Sequence, residues 1–454
     1  MENSELESDI VDNGVVNKLS NEIDRLGLNE NVVEKVEVKK KRKKKKKPVA
    51  ENKSVEEEYV PDLPIHSIQQ QDNSHLRKVF NWPAVDKSKQ TFPPTVPVNK
   101  IYKKNEYPEG EKIDYTGTNS YRTSSQELKN IEENYVPDYS SLRRAAEVHK
   151  QVRKYMQSVV KPGIKLMDLC NTLEEKTKEL VSADGLNSGW GFPTGCSLNH
   201  CAAHYTPNPG DNTVLTENDI CKLDFGVQVN GMIIDCAFSI AFKDYFDPLI
   251  QSTIDGTNTG LKLAGIDAIF SEISSGIQEA IESYEFEYKG RTYPIKAIKN
   301  LNGHSILPYQ IHGGKSLPIV ATTDNTRMEE NEVYAIETFA STGRGYVTEG
   351  FDCSHYMKCY DNPFISESGL RLKSARTLLT GINNHFGTLA FCRKWLEQLG
   401  FEKHALALKY LVDAEIVRPY PPLNDVVGSF TSQTEHTVIL RPTCKEVVSR
   451  GYDF

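Results

Sequence analysis

Residues 220–242 read ICKLDFGVQV, then Asn230-Gly231, then MIIDCAFSIAF. Asn-Gly between two apolar runs is a strong hairpin signal, because both residues accept the positive φ of a two-residue turn. With Asn230 and Gly231 as the loop, Asp224 falls opposite Ala237 and Asp235 opposite Gly226. The two acids are then diagonal neighbours on one face, about 7–8 Å apart at the backbone, which lets both carboxylates reach one ion. Acids on an otherwise apolar sheet repel each other unless something neutralises them. The same pattern also suits two acids facing solvent on an exposed hairpin.

Three further residues bear on that choice. Glu337 sits in VYAIETFAS, an apolar strand-like run where an unpaired carboxylate is costly. Glu435 repeats the pattern in TEHTVIL, and His304 follows Asn302-Gly303. Each has an ordinary explanation, an edge position for either Glu and a satisfied polar role for the histidine. Together with Asp224 and Asp235 they meet one demand, a charge-balanced site for two divalent ions. Four carboxylates match the charge of two such ions, and ions about 3.5–4 Å apart activate water near neutral pH. Oxygen ligands with one imidazole suit Mn, Fe, Co or Zn and do not resemble a structural Cys/His zinc site.

The chain has 454 residues and a net charge of −8, which hides a strong segregation. Residues 1–37 hold ten acids against three bases, and residues 39–47, KKKRKKKKK, are nine consecutive cations. Residues 1–84 are expected to be a disordered charged tail, too poor in apolar surface to offset chain entropy. Its Lys39–Lys47 run reads as a nucleic-acid or nuclear-import-like contact, or as a solvated charge block. The nine cysteines all fall at or after Cys170 and include no Cys-x-x-Cys pair. That pattern points to free thiols in a reducing compartment, with Cys196 and Cys201 near the proposed site as packing residues. The N-terminus lacks a secretory signal, and no run approaches the roughly 20 apolar residues of a membrane span. A soluble, cytoplasmic protein is expected.

Residues 85–454 are read as one domain. Pro-rich extended chain is expected to about 135. A helix capped by Ser140 or Ser141 then ends at Pro162-Gly163, and a second runs over Met167–Val181. A loop over 185–218 leads into the hairpin, and a helix pair spans 247–283. Three helices at 366–380, 384–399 and 402–417 form an insertion, about 360–420, between Glu337 and Glu435.

The order Asp…Asp…His…Glu…Glu, with the second Asp eleven positions after the first, resembles the pita-bread metallohydrolases. That group includes methionine aminopeptidases, prolidases and aminopeptidase P. The runs FPTGCSLNHCAAHYTPNPGD, CKLDFG, GMIIDCAF, NLNGHSI, YAIETF, CSHYMK, RPYPPL and EHTVILRPTCKEVVSRG are similar to those of eukaryotic type 2 methionine aminopeptidases, over about 90–454. The helical insertion marks type 2 over type 1. Leu307-Pro308 departs from the family's usual sequence.

The resemblance implies an α/β (α+β) pita-bread fold, a pseudo-twofold, curved, mainly antiparallel sheet backed by helices. It implies that Asp224 and Asp235 hold one ion, that His304 and Glu337 hold the other, and that Asp235 and Glu435 bridge. His204 would contact the scissile amide and His312 polarise its carbonyl, while Glu337 moves the proton. Phe192, His204, Ile311, His312, His355 and Tyr420 would bind the methionine residue. The implied activity is removal of the initiator methionine from nascent polypeptides, with a small second residue preferred. Water activated between the two ions (Mn, Co, Zn or Fe) would attack the scissile carbonyl. Nascent N-termini are then the substrate partners of a monomeric chain, and Lys39–Lys47 would carry ribosome or RNA association. Two alternatives remain: a non-enzymatic ribosome- or RNA-associated protein on the same fold, and a proline-directed peptidase of the same superfamily.

Overall fold

A computed structural model describes residues 73–82, 89–360 and 369–454. Lys39–Lys47 lies outside the described residues. The described residues begin before the expected boundary at 85. Leu76 and Trp82 are buried. Trp82 Nε1 donates to Gln157 Oε1 at 2.8 Å, and the Arg77 N–H donates to the Ala241 carbonyl at 3.0 Å.

The hairpin forms as its sequence dictates. Strands Cys221–Val229 and Met232–Ile240 pair antiparallel, with Asp224 opposite Ala237 and Gly226 opposite Asp235. Asn230 and Gly231 take φ of 53° and 80°, the double positive-φ turn that matches strand twist. The segment 185–218 is more ordered than a loop. It holds three short strands, Ser188–Trp190, Gly195–Leu198 and Cys201–Ala203. The first two flank Cys221–Val229 on its free edge, giving a four-stranded sheet.

A second, seven-stranded sheet is antiparallel throughout. Its centre is the pair Val333–Ser341 and Thr431–Leu440. Asn302–Ile306 extends it on one side and Cys444–Val447 on the other. The two sheets meet at a seam: the Asp235 N–H donates to Thr437 Oγ1 at 2.9 Å, and that hydroxyl donates back to the Asp235 carbonyl at 2.6 Å.

Each half is backed by a helix pair. Val136–Val159 and Leu166–Val181 cover the hairpin, burying Val148, Val152, Leu169 and Leu173 against Leu223 and Phe225. Asp247–Leu263 and Phe270–Glu282 cover the central pair, burying Leu261, Phe270 and Ile277 against Tyr334 and Ile336. This repeated motif is the curved, helix-backed antiparallel sheet that the resemblance implies. The first helix starts at Val136, earlier than Ser140, and no side chain caps it. The stretch expected to be extended up to 135 also carries short helices, among them Gln126–Glu132, capped by Ser125.

Among the described residues, the insertion holds the helices Lys373–His385, Arg393–Gln398 and Ala405–Asp413, each shorter than its sequence pattern suggests. They pack around their own core of Leu378, Phe391, Trp395 and Leu411. The lobe is fixed to the domain by a buried ion pair, Lys394 to Glu174 at 2.8 Å, and by stacking of Trp190 on Trp395 with ring centres 4.1 Å apart.

Candidate metal centre

Five strands each deliver one polar side chain to a common point. Asp224 and Asp235 come from the hairpin, and His304 comes from Asn302–Ile306. Glu337 and Glu435 come from the central pair, where register sets them directly opposite each other. His304 Nε2 lies 3.6 Å from Asp235 Oδ2 and 3.5 Å from Glu337 Oε1. Ligand atoms of Asp235, His304 and Glu435 all fall within 4.8 Å of one another. Asp235, His304 and Glu435 are buried, while Asp224 and Glu337 keep part of their surface on the cavity. The alternative of two acids on a solvent-facing hairpin does not describe this geometry.

Such a cluster is electrostatically unfinished. No Lys or Arg among the described residues lines the cavity. Burial pushes the Asp224 carboxyl up to about 6. Burial, reinforced by the charge of Asp224, pushes Asp235 well above the carboxylate range. Burial likewise raises Glu337 and Glu435, with Asp235 the leading charged neighbour of each. Asp224 Oδ1, Asp235 Oδ1 and Glu435 Oε1 are buried without a hydrogen-bond partner. Burial, with His312 beside it, depresses His304 to about 3, so its imidazole is neutral and free to ligate. Orphaned carboxylate oxygens around a neutral imidazole fit divalent cations, which supply the positive charge this site lacks.

The cavity holds about 100 Å³. At roughly 10–15 Å³ per water on this measure, it has room for a single residue rather than a folded chain. Phe192, His204, Ile311, His312, His355 and Tyr420 all line it, together with the five polar residues. Phe192 is brought in by a close approach: a Cβ on Gly226 would collide with its ring. His204 ends the strand Cys201–Ala203 at φ 64°. Its backbone is held there by the His355 ring, whose Nδ1–H donates to the His204 carbonyl at 2.8 Å. Its own Nδ1 is buried and unpartnered. Burial, and next the neighbouring His355, depresses His204 to about 3. His312 stands edge-on to His304 with ring centres 4.6 Å apart, and burial lowers its pKa as well.

Sequence reasoning missed several lining residues. Leu301, Phe339, Met357 and Ala390 complete the apolar wall. Gln433 reaches into the acid cluster, with Nε2 3.1 Å from Asp224 Oδ2. A usable signal existed for two of these. Phe339 follows Glu337 by two positions and Gln433 precedes Glu435 by two, so strand alternation sets each on its acid's face. Cys196 is buried and Cys201 partly so, and burial pushes both thiols up, consistent with packing roles.

The sequence profile of metallopeptidase family M24 matches residues 140–374. Methionine aminopeptidase 2A of Arabidopsis thaliana is 52% identical over 365 residues, covering 80% of this chain and 82% of its own length. Methionine aminopeptidase 2 of Schizosaccharomyces pombe is 53% identical over 365 residues, covering 80% and 85%. Among solved structures, a thermophilic Arx1 matches 68% of this chain and 90% of its own with a TM-score of 0.56 at 19% identity, a likeness of fold alone.

Proposed function

This chain belongs to metallopeptidase family M24, and from that membership we propose that it is a metal-dependent aminopeptidase removing the initiator methionine from polypeptides. The observation that carries the reading is the convergence of Asp224, Asp235, His304, Glu337 and Glu435 on one cavity sized for a single residue. Asp224, Asp235 and Glu435 at one end, and His304, Glu337 and the shared acids at the other, would hold two divalent ions of the Mn, Co, Zn or Fe class. Such ions, when bound, supply Lewis acidity and water of lowered pKa.

The residues of the chain divide the remaining work. A free α-amine is drawn to the acid cluster at Asp224, which limits the enzyme to unblocked N-termini. The methionine side chain enters the wall formed by Phe192, Ile311, His355 and Tyr420. His312, a neutral imidazole, donates to the carbonyl oxygen as negative charge develops there. Glu337 takes a proton from the attacking water and returns it to the departing amine. His204, with an unpartnered ring nitrogen, hydrogen-bonds the amide at the bond to be broken. The preference for a small second residue is inferred from the family resemblance. The substrates are then newly made chains in the cytoplasm, consistent with nine free cysteines. We assign Lys39–Lys47 to ribosome or RNA association on charge alone.

The test compares purified protein with Mn or Co on Met-Gly, Met-Glu and Xaa-Pro peptides. Metal-dependent release of free Met from Met-Gly is expected. Cleavage of Xaa-Pro in its place would favour the proline-directed alternative, and cleavage of none would favour a non-enzymatic role.

A further inference from the structure

The proposed reaction assigns nothing to Gln433. This side chain is 1% exposed and leaves the strand Thr431–Leu440 on the same face as Glu435. Its Nε2 lies 3.1 Å from Asp224 Oδ2, 3.4 Å from Glu337 Oε2 and 3.5 Å from Glu435 Oε2. The three acids belong to three different strands, and one amide nitrogen with two protons reaches them all. The residue is itself registered to the strand that carries Asp235. Ser239 Oγ donates to the Gln433 carbonyl at 2.9 Å and accepts from its N–H at 3.0 Å.

Resting on the reading of this site as a metal centre, we propose that Gln433 is a positioning residue that fixes three carboxylates in the arrangement the ions require. The argument is one of charge and reach. Like-charged acids facing one another turn apart unless a donor restrains them. A Lys or Arg at 433 would restrain them but would also neutralise them and compete with a cation. An apolar side chain would do neither. An amide restrains and leaves the charge available. Each acid keeps its other oxygen free of Gln433: Asp224 Oδ1 and Glu435 Oε1 have no hydrogen-bond partner, and Glu337 Oε1 faces His304 Nε2 at 3.5 Å.

The probe is Co(II), titrated into the ion-free full-length protein and followed by its visible absorption. Wild-type protein that binds no Co(II) would refute the metal-centre reading itself. Given wild-type binding, Gln433→Met, which removes the donor at similar volume, should bind Co(II) about 10–100-fold more weakly with an altered spectrum. The melting temperature of the ion-free form should stay close to wild type. Wild-type affinity and spectrum in this variant would overturn the assignment. If Gln433→Met fails to fold, Gln433→Asn keeps the amide but withdraws it from the three oxygens, and the same readings apply. A loss of affinity matched by a loss of ion-free stability, or failure of both variants to fold, makes Gln433 a packing residue and overturns the proposal.

Discussion

Glu337 and Glu435 stand directly opposite each other on adjacent central strands, with His304 opposite Ala335 on the next strand over. Like charges placed so are destabilising in a sheet. The fold accepts this arrangement where Asp224 and Asp235 converge on it from a second sheet, and the result is a site whose stability depends on what neutralises it.

The first prediction follows from that dependence. Burial holds Asp224 at about 6, above its ordinary carboxylate value, and holds Asp235, Glu337 and Glu435 higher than theirs. A carboxyl whose folded-state pKa is raised binds its proton more tightly when folded. Its contribution is complete below the unfolded pKa near 4 and is lost as pH rises through the folded value. The ion-free protein should therefore lose stability as pH rises from about 4 through about 6. The histidines act oppositely: His204 and His304 are depressed by burial to about 3 and His355 to about 4. Their stabilisation is present above about 6.5 and is lost as pH falls towards the folded values. Divalent ions replace the protons on the acids, so the rise in melting temperature on adding Mn should be larger at pH 7.5 than at pH 5. Equal rises at the two pH values would contradict this.

The Asp224–Asp235 register was legible because Asn-Gly fixes a two-residue turn and the pairing then counts outwards. The facing of Glu337 and Glu435 was not. Almost a hundred residues separate them, and a long-range pair leaves no local trace in the sequence. The strands within 185–218 were missed because runs of three or four residues are too short to show alternation. Pro137 in the first turn explains the early start of the helix at Val136, since its fixed φ suits that position. The insertion helices are shorter than their apolar patterns because turns cut them. The helix expected from 384 begins only at Arg393, because at Gly387 φ is 59°, the Gly387 N–H closes a turn on the Ile382 carbonyl at 3.0 Å, and Phe391–Cys392 is extended. His204, His312, His355 and the pocket aromatics came from family resemblance, because nothing local distinguishes His204 from the other ten histidines.

His204→Ala should lower kcat about 10²–10³-fold, the range for losing one hydrogen-bond donor at a transition state. Metal content should be unchanged, because no acid of the cluster hydrogen-bonds this ring. Metal analysis beside steady-state kinetics checks both halves, and a variant that loses its ions would place His204 among the ligands.

Gly226→Ala should act on the pocket through Phe192, whose ring occupies the space of the new Cβ. Displacing that ring should raise KM for Met-Gly peptides about tenfold, equivalent to about 1.4 kcal/mol. An unchanged KM would mean that Phe192 does not contact the bound methionine.

Arg153→Met should destabilise the whole domain. Arg153 and Asp453 are both 0% exposed and form a 2.6 Å ion pair behind the metal-bearing strands. Arg153 also donates to the Ser449 carbonyl at 3.2 Å, and Ser449 Oγ bonds His436 Nδ1 at 2.9 Å, next to Glu435. Leaving Asp453 buried and unpaired should cost about 3–5 kcal/mol in urea unfolding of the ion-free protein. A loss below 1 kcal/mol would show that solvent reaches this pair.

The most direct measurement is anomalous X-ray diffraction at the metal edge from crystals grown with Mn, for wild type and Asp235→Ala. The wild type should show two peaks among Asp224, Asp235, His304, Glu337 and Glu435. The variant should lose both peaks and its release of methionine. Wild-type crystals with no peak between these side chains, or an Asp235→Ala variant with intact ions and full turnover, would contradict the assignment of this cluster as the catalytic centre.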